Sequence, residues 1–430
     1  MERKTVSVLS KWKQSKTRRP LLVYGARQVG KTYSLLHFGK SFYQNTVYLN
    51  FENNPELHQI FDGDISPDKL LPKLQLVANQ SVFPEETLLI FDEVQACERA
   101  LTSLKYFAEQ SPEIHVVAAG SLLGVALNRN KYSFPVGKVQ IEYMHPMDFE
   151  EFLWAMQKKD AVGIINDCFI NKKECELHAH FMEIFKLYIS LGGMPQVVNE
   201  YIQSRDFNFV VPIQKNILDA YVADMAKYAD PKETVKIMAA FQSIPSQLAK
   251  ENRKFQYKLI KSGARSADFA VPLDWLKSSG LIMKVHKCHP PETPLAAYSS
   301  TDFFKVYMSD TGLLCCMLGL NNQSMVVQAF ELTGIKGAIA ENYVASALRT
   351  AGHEPYYWES DGKAEVDFIF QHISGNVIPV EVKSSDNTKS KSLSLFIQRY
   401  KPDIAYKVSA KNFGSEGIIN SIPLYGAFCI

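Results

Sequence analysis

Short apolar runs are spaced along the first 150 residues of the chain. Leu21–Tyr24, Thr87–Phe91 and Ile114–Ala119 are nearly uninterrupted apolar runs, and Thr46–Glu52 is rich in residues that favour strands. Runs of this length are typical of strands that a parallel sheet buries on both faces. Residues 32–38 predict the opening of a helix. The pattern therefore predicts an α/β domain with a parallel sheet.

The pattern becomes helical between residues 152 and 228. Apolar residues there recur three and four positions apart, which predicts amphipathic helices of a lid or connector. Examples are Phe181, Ile184, Phe185, Tyr188 and Ile189. Residues 233–287 predict a helix, a turn, a second helix and a short strand, the order of a winged helix-turn-helix. The proline-rich residues 289–294 mark the loop of the wing or a linker.

A further unit opens at residues 304–312. Ala340–Asn342 lies on a predicted amphipathic helix, and residues 366–370 and 377–382 are predicted strands. Ser374-Gly375-Asn376 between the two strands is a hairpin signal. We therefore expect a second α/β domain in the C-terminal part of the chain.

The composition is that of a soluble globular protein. The 430 residues are 46% apolar and 21% charged, and a chain of this length is expected to form two or three domains. No run approaches the roughly 18 apolar residues of a membrane span, so no membrane partner is expected. Met1–Lys4 is not followed by an apolar core, so we expect no secretory signal and a cytoplasmic location.

Net charge and cysteine usage narrow the functional classes. A formal net charge of +2 gives no polyanion-binding signature over the whole chain, so nucleic-acid binding has to be inferred locally. The seven cysteines contain no C-x-x-C pair. We expect buried thiols, and neither a zinc site nor a disulfide framework.

The first strand leads into a nucleotide-binding motif of the form G-x-x-x-x-G-K-[ST]. Its residues are Gly25, Ala26, Arg27, Gln28, Val29, Gly30, Lys31 and Thr32. The glycines let the backbone fold around phosphates so that main-chain N–H groups point at the anion. Lys31 would reach the β- and γ-phosphates, and the Thr32 hydroxyl would ligate Mg²⁺. The motif predicts that this loop binds ATP with Mg²⁺.

Two acidic residues, Asp92 and Glu93, follow the strand at residues 87–91. Parallel strands deliver the residues at their carboxyl ends to the crevice where ligands bind. We expect Asp92 to hold Mg²⁺ and Glu93 to orient or deprotonate the attacking water. Ser121 follows the next strand, where it either senses the γ-phosphate or caps a helix at residues 122–127. Both interpretations stay open.

These motifs resemble those of prokaryotic AAA-type ATPases that carry a C-terminal domain of unknown function, DUF4143. The resemblance rests on residues 25–32, 92–95, 119–122 and 146–153. It implies a parallel αβα sandwich in which another strand separates the nucleotide-loop strand from the Asp-Glu strand. Leu191–Gln196 looks like a Gly-x-Pro element, which would place Pro195 near the base. A simple helix break is the alternative.

An arginine finger, an arginine that stabilises the transition state in cis or in trans, is a further expectation for such an ATPase. Arg99 and Arg129 are the candidates nearest the core motifs. Arg129 follows the predicted helix at residues 122–127, where it would point at a neighbouring subunit. The sequence is therefore compatible with a homo-oligomer.

The C-terminal part resembles the PD-(D/E)xK nuclease fold in the order of its helix, hairpin and Glu-x-Lys sequence. Carried over by position, Asp367 and Glu381 would bind a divalent metal, and Glu341 would be the acid on the helix. Lys383 would orient the water or stabilise the charge of the phosphorane. The motif equally suits a relative that binds nucleic acid or protein without cutting it. A solvated strand edge with alternating charges is the third interpretation.

The winged-helix pattern carries four cations, Lys254, Lys258, Lys261 and Arg265. They would meet phosphates if this part docks on DNA, and a mechanical spacer or partner-binding surface is the alternative. We therefore expect a P-loop ATPase core at residues 1–150, a helical lid at 151–230, a winged helix at 231–300 and a restriction-endonuclease-like α/β domain at 301–430. The expected function is an ATPase coupled to a nuclease-like domain, or a signalling switch whose C-terminal domain is inactive.

Overall fold

The computed structural model describes residues 1–121, 135, 137–250, 253–320, 333–360, 364–383 and 391–430. These residues form two compact units. Unit 1 comprises Met1–His145 with Ser278–Gly280, and unit 2 comprises Pro146–Lys277 with Leu281–Ile430. Arg129 and the helix expected at residues 122–127 lie outside the described residues.

Unit 1 alternates strands and helices, as the spacing of its apolar runs predicts. Its elements are α1 (Lys4–Gln14), β1 (Leu21–Tyr24), α2 (Lys31–Phe42), β2 (Asn45–Asn50), α3 (Leu57–Ile60), α4 (Pro67–Ala78), β3 (Thr87–Asp92), α5 (Glu98–Gln110), β4 (His115–Gly120) and β5 (Gln140–Tyr143). All residues of β1, β3 and β4 are buried, which explains why these strands are apolar without alternation.

The sheet of unit 1 has the strand order β2-β3-β4-β1-β5, and every neighbouring pair is parallel. Strand β4 therefore lies between the strand that precedes the nucleotide-binding loop and the strand that ends in Asp92. This is the order expected from the resemblance. Because parallel strands end at one edge of a sheet, the loop after β1 and the carboxylates after β3 share that edge.

Unit 2 begins with a helical region that matches the pattern in the sequence. Its helices are α6 (Phe149–Ala155), α7 (Lys159–Asn171), α8 (His178–Leu191), α9 (Pro195–Ser204), α10 (Phe207–Tyr228), α11 (Pro231–Leu248) and α12 (Ser266–Ser278). Helix α6 starts with a capping box, in which the Asp148 side chain accepts from the Glu151 N–H and the Glu151 side chain accepts from the Asp148 N–H. The box satisfies two backbone donors at the start of the helix.

An eight-stranded mixed sheet completes unit 2. Its strands are β6 (Ile282–Cys288), β7 (Ser299–Met308), β8 (Tyr356–Glu359), β9 (Glu365–Gln371), β10 (Val377–Val382), β11 (Ala405–Ser409), β12 (Gly414–Glu416) and β13 (Ile419–Pro423), in the order β12-β13-β11-β10-β9-β8-β6-β7. Among the described residues, the helices α13 (Thr311–Met317), α14 (Thr333–Thr350) and α15 (Lys391–Tyr400) accompany it. Strands β9 and β10 form the predicted antiparallel hairpin, and Gly375 in its turn has a φ of 91°.

The antiparallel hairpin β6–β7 occupies the place of the expected wing. It does not stand apart from the C-terminal strands, because β6 also pairs in parallel with β8. Residue 300, where the sequence suggested a domain boundary, lies inside β7. The hairpin is therefore part of the C-terminal sheet.

The Gly-Gly-Met-Pro segment breaks the helical region between α8 and α9. A Cβ atom on Gly193 would lie 2.0 Å from the Met147 carbonyl oxygen, so only glycine fits this approach. The Gly193 N–H donates to Asp310 Oδ2 at 2.6 Å. Burial raises the pKa of Asp310 to about 6, although backbone N–H groups oppose the shift. The segment is thus a helix break inside unit 2, and contact between Pro195 and a nucleotide stays a prediction.

All seven cysteines are free thiols, and six of them are buried, in line with the sequence. Among the described residues, no helix combines the length and apolar character needed to cross a bilayer.

Candidate nucleotide site

The nucleotide-binding motif, residues 25–32, forms the loop after β1 and the first two residues of α2, and it is shaped by its two glycines. Gly30 has a φ of 94° immediately before α2, a left-handed conformation that a side chain would strain. A Cβ atom on Gly25 would lie 2.2 Å from the Met144 carbonyl oxygen. The first glycine is therefore required by close packing and the second by backbone conformation. We call these eight residues the P-loop.

Lys31 lies inside this loop. Its side-chain Nζ donates hydrogen bonds to the carbonyl oxygens of Gly25 at 2.9 Å and Ala26 at 2.8 Å. Burial lowers the pKa of Lys31 to about 8, while Glu93 and Asp92 act in the opposite direction. At pH 7 the side chain is therefore mainly an ammonium ion, and it lies where the sequence predicts the phosphates.

Thr32 and Asp92 connect the two motifs of the site. The Thr32 hydroxyl donates to Asp92 Oδ2 at 2.8 Å, and Asp92 is only 2% exposed. Mg²⁺ prefers oxygen ligands and keeps several of its waters, so a hydroxyl beside one buried carboxylate suits it. These two predicted metal ligands are brought together, and they are the residues that would hold Mg²⁺.

Tyr48 on β2 is a third member of this group. Its hydroxyl donates to Asp92 Oδ2 at 2.8 Å and accepts from Asn50 Nδ2 at 3.1 Å. Burial raises the pKa of Tyr48 to about 12, so the hydroxyl keeps its proton and donates at neutral pH. No sequence motif points to Tyr48. The pairing of Asn50 with Asp92, which only the folded sheet establishes, brings it to the carboxylate.

Glu93 follows directly after β3 in an uncommon backbone conformation. Its φ is 50°, a left-handed value that is costly for residues other than glycine and recurs at functional sites. One carboxylate oxygen, Oε2, accepts from Gln95 Nε2 at 2.5 Å and from Ser121 Oγ at 3.3 Å. The two predicted catalytic residues Glu93 and Ser121 therefore lie in contact. Ser121 and Gln95 together orient the Glu93 carboxylate.

The other P-loop residues have structural contacts. Arg27 forms an ion pair of 3.9 Å with Glu52, and Gln28 has a φ of 67°. Val29 is buried, and its carbonyl oxygen accepts from Arg3 Nη1 at 2.6 Å. Arg3 was not expected from any motif.

Arg3 links the P-loop to the segment that follows β5. Its Nη2 donates to the His145 carbonyl oxygen at 2.7 Å, while Nη1 binds Val29. The side chain comes from the residue before α1 and is 5% exposed. A buried guanidinium that bridges two carbonyl groups holds the loop in a fixed position.

The candidate arginine finger Arg99 is half-buried and bonded to the backbone of unit 1. Its guanidinium donates to the carbonyl oxygens of Phe61 and Gly63. These bonds favour a structural role for Arg99. The other candidate, Arg129, lies outside the described residues.

Three of the predicted nuclease residues lie close together on β9 and β10. Asp367 Oδ2 accepts from the Val382 N–H at 2.8 Å, and Lys383 Nζ lies 2.7 Å from Glu381 Oε1. The second contact requires Glu381 and Lys383 to lie on one face of the strand, as their spacing predicts. Burial opposes the shift, but Glu381 and, to a smaller extent, Asp367 raise the pKa of Lys383.

Glu341 on α14 has other partners. It forms ion pairs with Arg253 and Lys305. Within the described part of the chain, no three His, Cys, Asp or Glu side chains form a group that could hold a metal ion. The expected metal set of Glu341, Asp367 and Glu381 is therefore not assembled, because cations and a backbone N–H of the same unit bind these carboxylates.

Three protein-family models match the chain. Residues 17–153 match the AAA domain, which contains all the residues of the site around the P-loop except Arg3. Residues 17–153 are an AAA-type P-loop ATPase domain. Residues 182–324 and 336–425 match two domains of unknown function, DUF8612 and DUF4143. The DUF4143 match spans β8 to β13 and confirms that part of the expected resemblance.

Solved structures similar to the chain include archaeal ATPases. A Walker-type ATPase of Pyrococcus abyssi has 14% identity and a TM-score of 0.44, with 74% of this chain and 95% of that chain covered. The ORC2 protein of Aeropyrum pernix has 12% identity and a TM-score of 0.36, with 76% and 93% covered. The similarity is too distant to carry a functional property from these proteins to the ATPase domain. No curated protein matches the chain.

Proposed function

We propose that the chain binds ATP with Mg²⁺ and hydrolyses it. The observation that carries this proposal is the hydrogen bond of 2.8 Å between Thr32 and Asp92. It joins the P-loop to the end of β3. Lys31 directly precedes Thr32 in the sequence, and Glu93 directly follows Asp92. An ammonium ion, a metal-binding pair and a carboxylate are the groups that phosphoryl transfer to water requires.

Each side chain has a distinct role in this proposal. The Lys31 ammonium ion exchanges its bonds to Gly25 and Ala26 for bonds to the β- and γ-phosphates. Bound Mg²⁺ supplies charge stabilisation at the phosphate oxygens. Glu93 accepts the proton of the attacking water, and Ser121 and Gln95 orient its carboxylate. Thr32 and Asp92 position the metal.

Nucleotide binding is tested with Lys31→Ala. Equilibrium binding of a fluorescent ATP analogue in the presence of Mg²⁺ should be lost, because this variant removes the cation inside the loop. Unchanged affinity and unchanged turnover in Lys31→Ala would contradict the proposal. Lys40→Ala, at an exposed position on α2, is the matched control and should behave as the unsubstituted protein.

For the C-terminal domain we propose a partner-binding role without nuclease activity. The supporting observation is that both oxygens of Glu341 are engaged by Arg253, Lys305 and Tyr307. Incubation of duplex and single-stranded DNA with Mg²⁺ or Mn²⁺ should give no cleavage above that of Asp367→Ala. Cleavage that disappears in Asp367→Ala and Lys383→Ala would establish the nuclease instead.

DNA is the candidate partner of the segment that leads into α12. Lys258, Lys261 and Arg265 are exposed there, whereas Lys254 is paired with Glu359. If the three exposed cations meet phosphates, DNA affinity should fall steeply with salt, and each charge-removing substitution should reduce the salt slope by about one. A salt-independent affinity would favour a protein partner.

A further inference from the structure

Glu341 is buried in unit 2 beside two positively charged side chains. Its Oε1 binds the Arg253 guanidinium, and its Oε2 lies 3.9 Å from Lys305 Nζ and accepts from the Tyr307 hydroxyl at 3.2 Å. Glu341 is 3% exposed and Lys305 is 1% exposed. Both carboxylate oxygens are thus engaged by groups of the chain itself.

Helix α14 leaves room for the Arg253 guanidinium. A Cβ atom on Gly337 would lie 2.5 Å from Arg253 Nη2, closer than non-bonded atoms normally approach. Gly337 precedes Glu341 by four residues, so the gap and the carboxylate lie on the same face of the helix. Glycine inside a helix is destabilising relative to alanine. Its presence here fits a position that must admit another side chain.

The backbone around Arg253 is also fixed. Lys254 forms an antiparallel β-bridge with Lys305, and the Phe255 N–H donates to the Phe304 carbonyl oxygen at 2.9 Å. Arg253 is therefore presented to α14 from a segment that is bound to β7. The backbone bonds to β7 therefore help to fix the position of the guanidinium.

Lys305 is the second cation beside Glu341, and it is almost completely buried. Its ammonium forms an ion pair with Glu365. Charges buried in pairs are costly to separate, because removal of one partner leaves the other uncompensated. The same carboxylates would have to lose these partners before they could take up a divalent ion.

We infer that Arg253 and Lys305 occupy the carboxylate of Glu341, the helix-borne acid that the nuclease resemblance assigns to a divalent metal. Gly337, Glu341 and Tyr307 form a guanidinium socket whose ligand is Arg253 of the same chain. The C-terminal sheet and α14 are then held together without a metal ion. This inference concerns unit 2 and is independent of ATP hydrolysis.

Chemical rescue of Arg253→Ala in the full chain tests the socket. The substitution should lower the melting temperature, and millimolar ethylguanidinium chloride should restore part of the loss where ethylammonium chloride does not. Lys254→Ala, which removes the neighbouring ion pair with Glu359, is the control and should gain nothing from either compound. Equal responses of the two variants to ethylguanidinium, or restoration of Arg253→Ala by Mn²⁺, would overturn the inference.

Two further measurements cover the case in which Arg253→Ala does not fold. Gly337→Ala should raise the melting temperature less than Gly163→Ala. Both substitutions gain helix propensity, but only the Cβ atom at Gly337 displaces the Arg253 guanidinium, whereas at Gly163 a Cβ atom meets nothing within 4 Å. Mn²⁺ binding is measured in an Asp92→Asn background without nucleotide, so that the ATPase site does not contribute. Absence of binding is expected. Mn²⁺ binding that is lost with Asp367→Ala and Glu381→Ala would contradict the inference.

Discussion

The Thr32 hydroxyl donates a hydrogen bond of 2.8 Å to Oδ2 of Asp92. These residues are 60 positions apart in the sequence, and the parallel order β3-β4-β1 brings them to one edge of the sheet. The bond joins the loop that binds phosphate to the strand that supplies the acids. It also places Glu93, which is adjacent to Asp92, at the same edge of the sheet as the P-loop.

Tyr48→Phe should weaken the affinity of the ATPase site for Mg²⁺ without removing activity. The variant loses the hydroxyl that donates to Asp92 at 2.8 Å. A hydrogen bond to a charged group contributes about 1.5–3 kcal/mol when buried, and Tyr48 is 36% exposed, so we expect about 1 kcal/mol or roughly a fivefold effect. A Mg²⁺ titration of ATPase rate measures it. Tyr106→Phe on α5 is the control, and equal shifts in both variants would contradict the assigned role.

The lowered pKa of Lys31, about 8, predicts proton uptake on nucleotide binding. Phosphate charge favours the ammonium form and raises this pKa, so binding near pH 8 should take up a fraction of a proton and binding near pH 6.5 almost none. Above the pKa, affinity should fall by up to about tenfold for each pH unit. Calorimetry in two buffers of different ionisation enthalpy gives the proton count.

The stability of the protein should depend on pH in the opposite direction to its affinity for nucleotide. Between the folded-state pKa of about 8 and the ordinary value of 10.5, the unfolded chain binds more protons at Lys31 than the native protein. The contribution of this group to stability therefore rises with pH across that window.

Lys31→Arg is the control for the proton uptake, because a guanidinium does not titrate in this pH range. Proton uptake that persists in this variant would refute the assignment to Lys31.

Arg3→Ala should raise the KM for ATP more than it lowers kcat. The substitution leaves the carbonyl groups of Val29 and His145 without the guanidinium, and an unsatisfied buried acceptor costs about 1–3 kcal/mol. We expect about a tenfold increase in KM. Arg3→Lys should restore only part of it, because an ammonium lacks the planar fork that bridges two carbonyls.

The control for Arg3 is Arg19→Ala, which removes an exposed bond to Gly137 in the same unit. It should leave KM unchanged. Equal losses of kcat and stability in Arg3→Ala, without a change in KM, would assign this residue to folding alone.

Gly25→Ala should abolish tight nucleotide binding. The added Cβ atom would lie 2.2 Å from the Met144 carbonyl oxygen, so the loop or the segment after β5 must move. Gly163→Ala on α7 is the matched control, because its Cβ atom meets nothing within 4 Å. That control should be neutral or more stable by about 1 kcal/mol, owing to helix propensity. Wild-type affinity in Gly25→Ala would show that the close approach does not fix the loop.

The sequence predicts the ATPase core well because its signals are local. The run Leu21–Tyr24 is observed as β1 with the predicted bounds, and the P-loop lies between strand and helix as its motif requires. Asp92 and Glu93 follow a buried strand, so their position at the sheet edge was also predictable. Local patterns suffice here because the same few residues form the strand, the turn and the start of the helix.

The partners of these residues could not be predicted, because they depend on tertiary contacts. Arg3 meets Val29 and His145 across 26 and 142 residues. Tyr48 reaches Asp92 only through the pairing of β2 with β3. In the C-terminal part, Glu341 lies on the predicted helix, but nothing in the sequence shows that Arg253 pairs with it. The nuclease-like motif predicts the positions of the acidic residues in the sequence, but it does not predict which cations pair with them.

Phosphate release by Glu93→Gln tests the central claim most directly. The variant keeps Lys31, Thr32 and Asp92, so binding of ATP with Mg²⁺ should stay within about threefold of the unsubstituted protein, while turnover falls by about 10²- to 10⁴-fold, the range of general-base catalysis. Retained binding with lost turnover would support hydrolysis at this site. Turnover equal to that of the unsubstituted protein would contradict it.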